Sequence, residues 1–118
     1  MNKLLVVGGS RGIGAEILKQ NLGAFDCINI SRTEADFFSS GVTHYSCDII
    51  EGDLPDLHDI NALVYCPGSI NLKPINSLQE GDFVDDFNIN VLGAVKVIRK
   101  YLRPLKRNKG SIVLFGTV

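Results

Sequence analysis

The segment Val7-Gly8-Gly9-Ser10-Arg11-Gly12-Ile13-Gly14 carries glycines at spacings that suit the binding of a phosphate group. Glycine reaches backbone conformations with positive φ, and without a Cβ it lets an anion approach the main chain closely. Lys3-Leu4-Leu5-Val6-Val7 before the turn reads as an apolar strand, and Ala15, Ile17 and Leu18 after it fall at helical spacing. Strand, glycine turn and helix in that order aim unpaired helix N–H groups and the positive dipole end at the turn, an arrangement that binds a dinucleotide pyrophosphate. Gly8, Ser10, Arg11, Gly12, Ile13 and Gly14 are therefore the candidate phosphate contacts. An ordinary strand, turn and helix with no ligand is the competing reading.

A second position bears on the kind of dinucleotide. The next strand ends Ile28-Asn29-Ile30-Ser31-Arg32-Thr33, with no acid where a ribose 2′-hydroxyl would be bound. A small hydroxyl followed by a guanidinium suits a 2′-phosphate instead, so Ser31 and Arg32, with Arg11, point to NADP(H) over NAD(H). The alternative is that both arginines are solvated surface charges. The missing acid also argues against an S-adenosylmethionine methyltransferase.

Taken together, these residues resemble the Thr-Gly-x-x-x-Gly-Ile-Gly motif of the short-chain dehydrogenase/reductase family, with Val7 in place of the threonine hydroxyl that helps fix the family's turn. The resemblance extends along the chain. It implies that Asp48 and Ile49 contact the adenine, the alternative for Asp48 being a cap on the following turn. Leu63-Val64-Tyr65-Cys66-Pro67-Gly68 stands where the family has Asn-Asn-Ala-Gly, which puts Cys66, Pro67 and Gly68 beside the cofactor although both asparagines are gone. Asn90, in Asn90-Val91-Leu92-Gly93, falls on the family's catalytic and cofactor-side asparagine; it could instead bond only to neighbouring backbone. Thr117, at the end of Ser111-Ile112-Val113-Leu114-Phe115-Gly116-Thr117, falls on the catalytic serine. The family's Tyr-x-x-x-Lys acid/base pair is not among these residues: Tyr45, Tyr65 and Tyr101 have no lysine four positions on. The resemblance implies an NADP(H)-preferring oxidoreductase that moves hydride between nicotinamide and a carbonyl or alcohol substrate, present here as its cofactor-binding part and inactive alone. A non-catalytic nucleotide-binding or regulatory module is the competing class.

The elements that must position these residues are legible as alternating apolar strands and helical segments. Strand-like runs at 3–8, 26–30, 42–47, 61–66 and 111–116 predict an α/β fold, a partial doubly wound parallel sheet of Rossmann type with helices on both faces. The resemblance implies the order 3-2-1-4-5 in a single domain, 1–118, that stops before the Tyr-x-x-x-Lys segment. A first helix is expected from Gly12 to Leu22, stopped by Gly23, and a short helical piece over Thr33 to Ser39. The interrupted stretch between Asp48 and Ala62 reads as a loop or a single turn. The longest helix is expected over 82–107, with a capping box of Ser77 and Glu80 and a bend or end at Pro104. Val84, Val91, Ile98 and Leu105 repeat every seven residues on it, with Val95 and Leu102 beside them and Phe83, Phe87, Ala94, Val97 and Tyr101 on a neighbouring face. That width suggests a homo-oligomer contact or a missing part of the same chain; deep burial within one domain is the alternative.

Composition excludes several classes. The 118 residues, 45% hydrophobic and with net charge -1, can bury one core and carry no basic footprint for nucleic acid. No stretch predicts a membrane span or a cleaved leader, so a cytoplasmic protein is expected. Cys27, Cys47 and Cys66 have no metal-ligand spacing and read as buried reduced thiols in strands, and no metal site is expected.

Overall fold

Two-sided burial of the first strand organises the chain. In a computed structural model, which describes residues 1–69 and 71–116, β1 (Lys3–Val7) is aliphatic at four consecutive positions, Leu4 to Val7, all buried. Such a run suits the middle of a parallel sheet covered on both faces. β2 (Asp26–Ser31), β3 (Val42–Ser46), β4 (Ala62–Tyr65) and β5 (Ser111–Leu114) complete an all-parallel sheet in the order β3-β2-β1-β4-β5. The expected fold class and strand order are those observed.

Alternate side chains feed two cores. On one face Leu4, Val6, Cys27 and Val64 pack with Leu18 of α1 (Gly12–Asn21) and with Phe38. On the other, Leu5, Val7, Ile28, Ile30, Leu63 and Tyr65 meet Ala94, Val97, Tyr101 and Leu105 of α3 (Gly93–Arg107) and the loop residues Ile49, Leu54 and Ile60. The region between Asp48 and Ala62 is loop, as expected, yet its apolar side chains fill part of this core.

Register delivers the chain to one edge. Val7 pairs with Ile30 and with Tyr65, and Ile30 pairs with Tyr45, so these strands end level. Main-chain bonds continue past them: Gly8 N–H donates to Ile30 O at 2.8 Å, Cys47 N–H to Ser31 O at 3.0 Å and Cys66 N–H to Val7 O at 2.9 Å. The strand order reverses at β1, and the crevice beyond the carboxyl ends there is where open α/β sheets bind ligands.

Several expected boundaries move. α1 ends at Asn21, not Leu22, because Leu22 is extended and bridges Phe25; Gly23, at φ +85°, makes the turn. The piece expected from Thr33 is a 3₁₀ turn at Asp36–Ser40, since the Thr33 hydroxyl faces Ser10 rather than capping. The 82–107 helix is three segments: α2 (Glu80–Phe87), a π-helical turn (Asn88–Leu92) and α3. Its capping box is Gln79 with Asp82, because Ser77 lies in a separate 3₁₀ turn, Ile75–Ser77. The π turn inserts a residue and rotates α2 against α3, which breaks the heptad: Leu105 is buried, whereas Val84 and Val91 are exposed; Val95 and Leu102 lie on the exposed side of α3 itself. Pro104 is buried inside the last turn of α3, which runs on to Arg107 and closes by bonds from Lys109 N–H to Lys106 O and Gly110 N–H to Leu105 O. Among the cysteines only Cys27 lies in a strand and is buried; Cys47 and Cys66 sit just past β3 and β4, half-buried, and all three are free thiols.

Two glycines of the first turn differ in what they demand. A Cβ on Gly14 would run into the main-chain carbonyl of Gly8 and lie 3.0 Å from Gly9 Cα, and neither atom can move aside without shifting the turn. Gly12 has open space around it, but φ is +63°. Gly14→Ala should therefore cost about 3 kcal/mol of unfolding free energy in urea. Gly12→Ala should cost about 1 kcal/mol. Equal costs would contradict this packing.

Candidate functional site

At the carboxyl edge of the sheet lies a cleft of about 1090 Å³. It gathers the turn residues Gly8, Ser10, Arg11, Gly12, Ile13 and Gly14 with Ser31 and Arg32 from the end of β2. Asp48 and Ile49 after β3, and Cys66, Pro67 and Gly68 after β4, line the same space. Residues spread over sixty positions of sequence thus face one volume because their strands end level. A smaller hollow of about 470 Å³, lined by Lys3, Asp26, Tyr45 and Asp56, opens at the opposite edge of the sheet.

The turn presents donors without partners of their own. α1 has no side-chain cap and no acid in its first turn. Its first N–H groups precede any carbonyl they could reach within the helix, so they and the dipole are open to an anion. Gly8 and Gly12 hold φ of +83° and +63°, and the Gly14 packing leaves no room for a larger residue beneath the turn. A dinucleotide pyrophosphate fits this cradle. Were the dinucleotide a nicotinamide cofactor, it would supply a transferable hydride, and these residues would hold and orient it.

The ribose end is basic and partly pre-engaged. Ser31 Oγ donates to Thr33 O at 2.7 Å and accepts from Asn29 Nδ2 at 2.8 Å, so its single hydrogen is committed within the protein. Arg11 and Arg32 are exposed on the cleft wall and carry the free donors there. Across the cleft, Asp48 Oδ1 accepts Ile50 N–H at 2.8 Å and Glu51 N–H at 3.3 Å. Those two bonds hold its carboxyl below the usual carboxylate range, helped by Arg32 and Lys96. One oxygen therefore caps the turn, while the other is outside these bonds. Lys96 Nζ braces the same loop from α3, on Gly52 O at 2.8 Å. Burial pushes the Cys66 thiol up to about 11, and it stays protonated at neutral pH.

Asn90 stands apart from the cleft-lining residues. Its Nδ2 donates to Ser69 O at 2.8 Å and its Oδ1 accepts Ser69 N–H at 2.9 Å, which pins the loop after β4 onto the π turn. Asp86 completes that pinning by accepting from Ser69 Oγ at 2.6 Å and Asn71 N–H at 3.2 Å. Thr117 lies outside the described residues. Among the described residues, no group of three or more His, Cys, Asp or Glu could hold a metal ion. No described helix is long and apolar enough to cross a membrane.

Two residues at the site are not evident from motif matching. Tyr65, which occupies a position where the family pattern has asparagine, is buried and donates its hydroxyl to Ile89 O at 2.5 Å. A Cβ on Gly93 would collide with that hydroxyl, so Gly93 makes room for the phenol. Asn29 is the other: an amide inside the apolar run Cys27-Ile28-Asn29-Ile30 is itself a signal that something must satisfy it.

The Tyr65 bond is testable through stability. Burial pushes its phenol from 10.0 up to about 12. Folding thus favours the neutral form, and stability is lost as pH rises past 10, where the unfolded chain ionises first. Burial raises Tyr101 in the same direction. Tyr65→Phe should lower stability by about 1–2 kcal/mol at neutral pH, by stranding the Ile89 carbonyl, and should flatten part of the alkaline loss. Unchanged neutral stability in chemical denaturation would contradict this role.

No family model matches the sequence. No curated protein matches it either. Solved structures resemble it closely in fold. A short-chain dehydrogenase/reductase from Saccharomyces cerevisiae superposes with TM-score 0.84 at 20% identity, over 99% of this chain and 54% of that one. An alcohol dehydrogenase from the archaeon Thermococcus sibiricus, complexed with 5-hydroxy-NADP, gives 0.79 at 19% identity over 97% and 57%. A short-chain dehydrogenase from Leptospira borgpetersenii with bound NAD+ gives 0.83 at 20% identity over 98% and 51%. The chain spans about half the length of these proteins. Its Rossmann-type fold is that of about half of a short-chain dehydrogenase/reductase.

Proposed function

We propose that this chain is the cofactor-binding part of a short-chain oxidoreductase that prefers NADP(H) to NAD(H) and moves hydride between nicotinamide and a carbonyl or alcohol carbon. The observation that carries the reading is the cleft itself, where an uncapped helix N-terminus and two arginines face one volume at the point of strand reversal. In this reading the main-chain N–H groups from Ser10 to Gly14 hold the pyrophosphate. Arg11 and Arg32 hold the 2′-phosphate, since the Ser31 hydrogen is already donated to Thr33. The free oxygen of Asp48 accepts from the adenine amino group, with Ile49 against the base. Cys66, Pro67 and Gly68 flank the ribose. Asn90 acts by fixing the Ser69 loop, and Thr117 is the candidate donor to a substrate oxygen. The whole protein works in the cytoplasm, with no nucleic acid or membrane as partner, and pairs with its own copies through the exposed apolar side of 82–107.

A second reading, a nucleotide-binding module without catalysis, is favoured by one observation. Both ends of the Asn90 amide are engaged by Ser69, and Tyr65 and Cys66 replace two amides of the family pattern, so polar groups for a proton relay are fewer.

Titration of NADPH and NADH into the chain separates these expectations. NADPH should bind more tightly, and Arg32→Ala should weaken NADPH by about tenfold, the worth of a charge-assisted bond, while leaving NADH nearly unchanged. Equal affinities, or NADPH binding undiminished in Arg32→Ala, would remove the 2′-phosphate clamp.

A further inference from the structure

Asn29 is fully buried in the middle of β2, and among the described residues it is the single buried polar side chain. Its surroundings fix the orientation of its amide. Gly9 N–H, which can only donate, lies 2.8 Å from Oδ1. Nδ2 therefore carries both hydrogens toward the remaining partners, Ser31 Oγ at 2.8 Å and His44 Nδ1 at 3.0 Å. Because Nδ2 cannot accept, the His44 ring must present a bare Nδ1, and its hydrogen sits on Nε2, which reaches Ser46 Oγ at 3.1 Å. One backbone donor in the glycine turn thus sets the direction of a chain of bonds that runs out to β3.

The turn needs such an anchor. Gly8 is held by its main chain, through its bond to Ile30 O. Gly9 follows directly, and a Cβ on it would meet both the Leu18 side chain and Asn29 Oδ1, so the amide fits closely against the turn. Val7 has no hydroxyl with which to hold the turn from β1. With Gly8 and Gly9 tied to β2, the N–H groups that follow are left to face the cleft.

We propose that Asn29 is a positioning residue for the cofactor: its Oδ1 pins Gly9 so that the following N–H groups converge on a dinucleotide pyrophosphate, with His44 holding the amide in that orientation. The inference rests on the proposed cofactor-binding function and deepens it. Asn29 does not touch the ligand. Its loss removes the Nδ2 bond to Ser31 Oγ but leaves Ser31 bonded to Thr33 O, so the ribose end keeps that anchor.

The experiment compares two probes on the chain, NADPH and adenosine 2′-monophosphate, which lacks the pyrophosphate. Asn29→Ala should weaken NADPH by about tenfold, the effect of misplacing one turn's donors, and leave adenosine 2′-monophosphate within about twofold of wild type. Should Asn29→Ala fail to fold, His44→Phe is the second variant; it keeps an aromatic ring beside Phe38 and removes one of the two acceptors for Nδ2 together with the exposed bond to Ser46. It should weaken NADPH by about threefold with the same sparing of the mononucleotide. Parallel loss of both probes, or no loss of NADPH in a folded variant, would overturn the positioning role. Wild-type chain that binds neither probe would overturn the functional reading itself, and this inference with it.

Discussion

Burial of β1 on both faces is the constraint on which the remaining structure depends. Leu4 and Val6 are needed by the α1 side, Leu5 and Val7 by the α3 side, so β1 cannot slip by a residue without exchanging its two cores. β2 and β4 pair with it on either side and inherit its level. The glycine turn, the end of β2, the loop after β3 and the segment after β4 then open at one edge for the same reason. The cleft is thus a by-product of hydrophobic register, and the polar groups around it are placed by apolar ones.

Polar contacts refine what packing has placed. Asn29 holds the turn to β2, Asp48 holds the loop after β3, and Asn90 with Asp86 holds the loop after β4. Asn29, Asn90 and Asp86 join a cleft segment to a strand or helical turn, and Asp48 caps its own loop, which favours a pre-formed site over one assembled on binding. Tyr65 adds a tie through the core, from the central strand to the π turn that carries Asn90.

The strands and the glycine turn were legible in the sequence because both are local signals. Five apolar runs and a glycine spacing need no knowledge of distant residues, and the runs fall on the five strands of the sheet. A turn cap, the alternative for Asp48, describes one of its oxygens, whereas the Asn90 amide bonds not to neighbouring backbone but to Ser69, 21 residues away. The losses occurred where tertiary partners decide. Nothing local distinguishes Ser77 from Gln79 as the cap, and a π turn within a continuous helical pattern shifts the register that a heptad assumes. Ser31 lines the cleft, and its bond to Thr33 O is not visible in the residue type. Asn29 is an amide within an apolar run, but its role is not local: its partners Gly9 and His44 lie on different elements.

On the proposed function, the cleft at the carboxyl edge holds a nicotinamide dinucleotide through the turn. Backbone amide chemical shifts followed during titration with NADPH test it most directly. Saturable changes are expected at residues 9–14 and on the segments after β2, β3 and β4, with the hollow around Lys3, Asp26 and Asp56 unaffected. Changes centred on that hollow, or no saturable change at the turn, would contradict it.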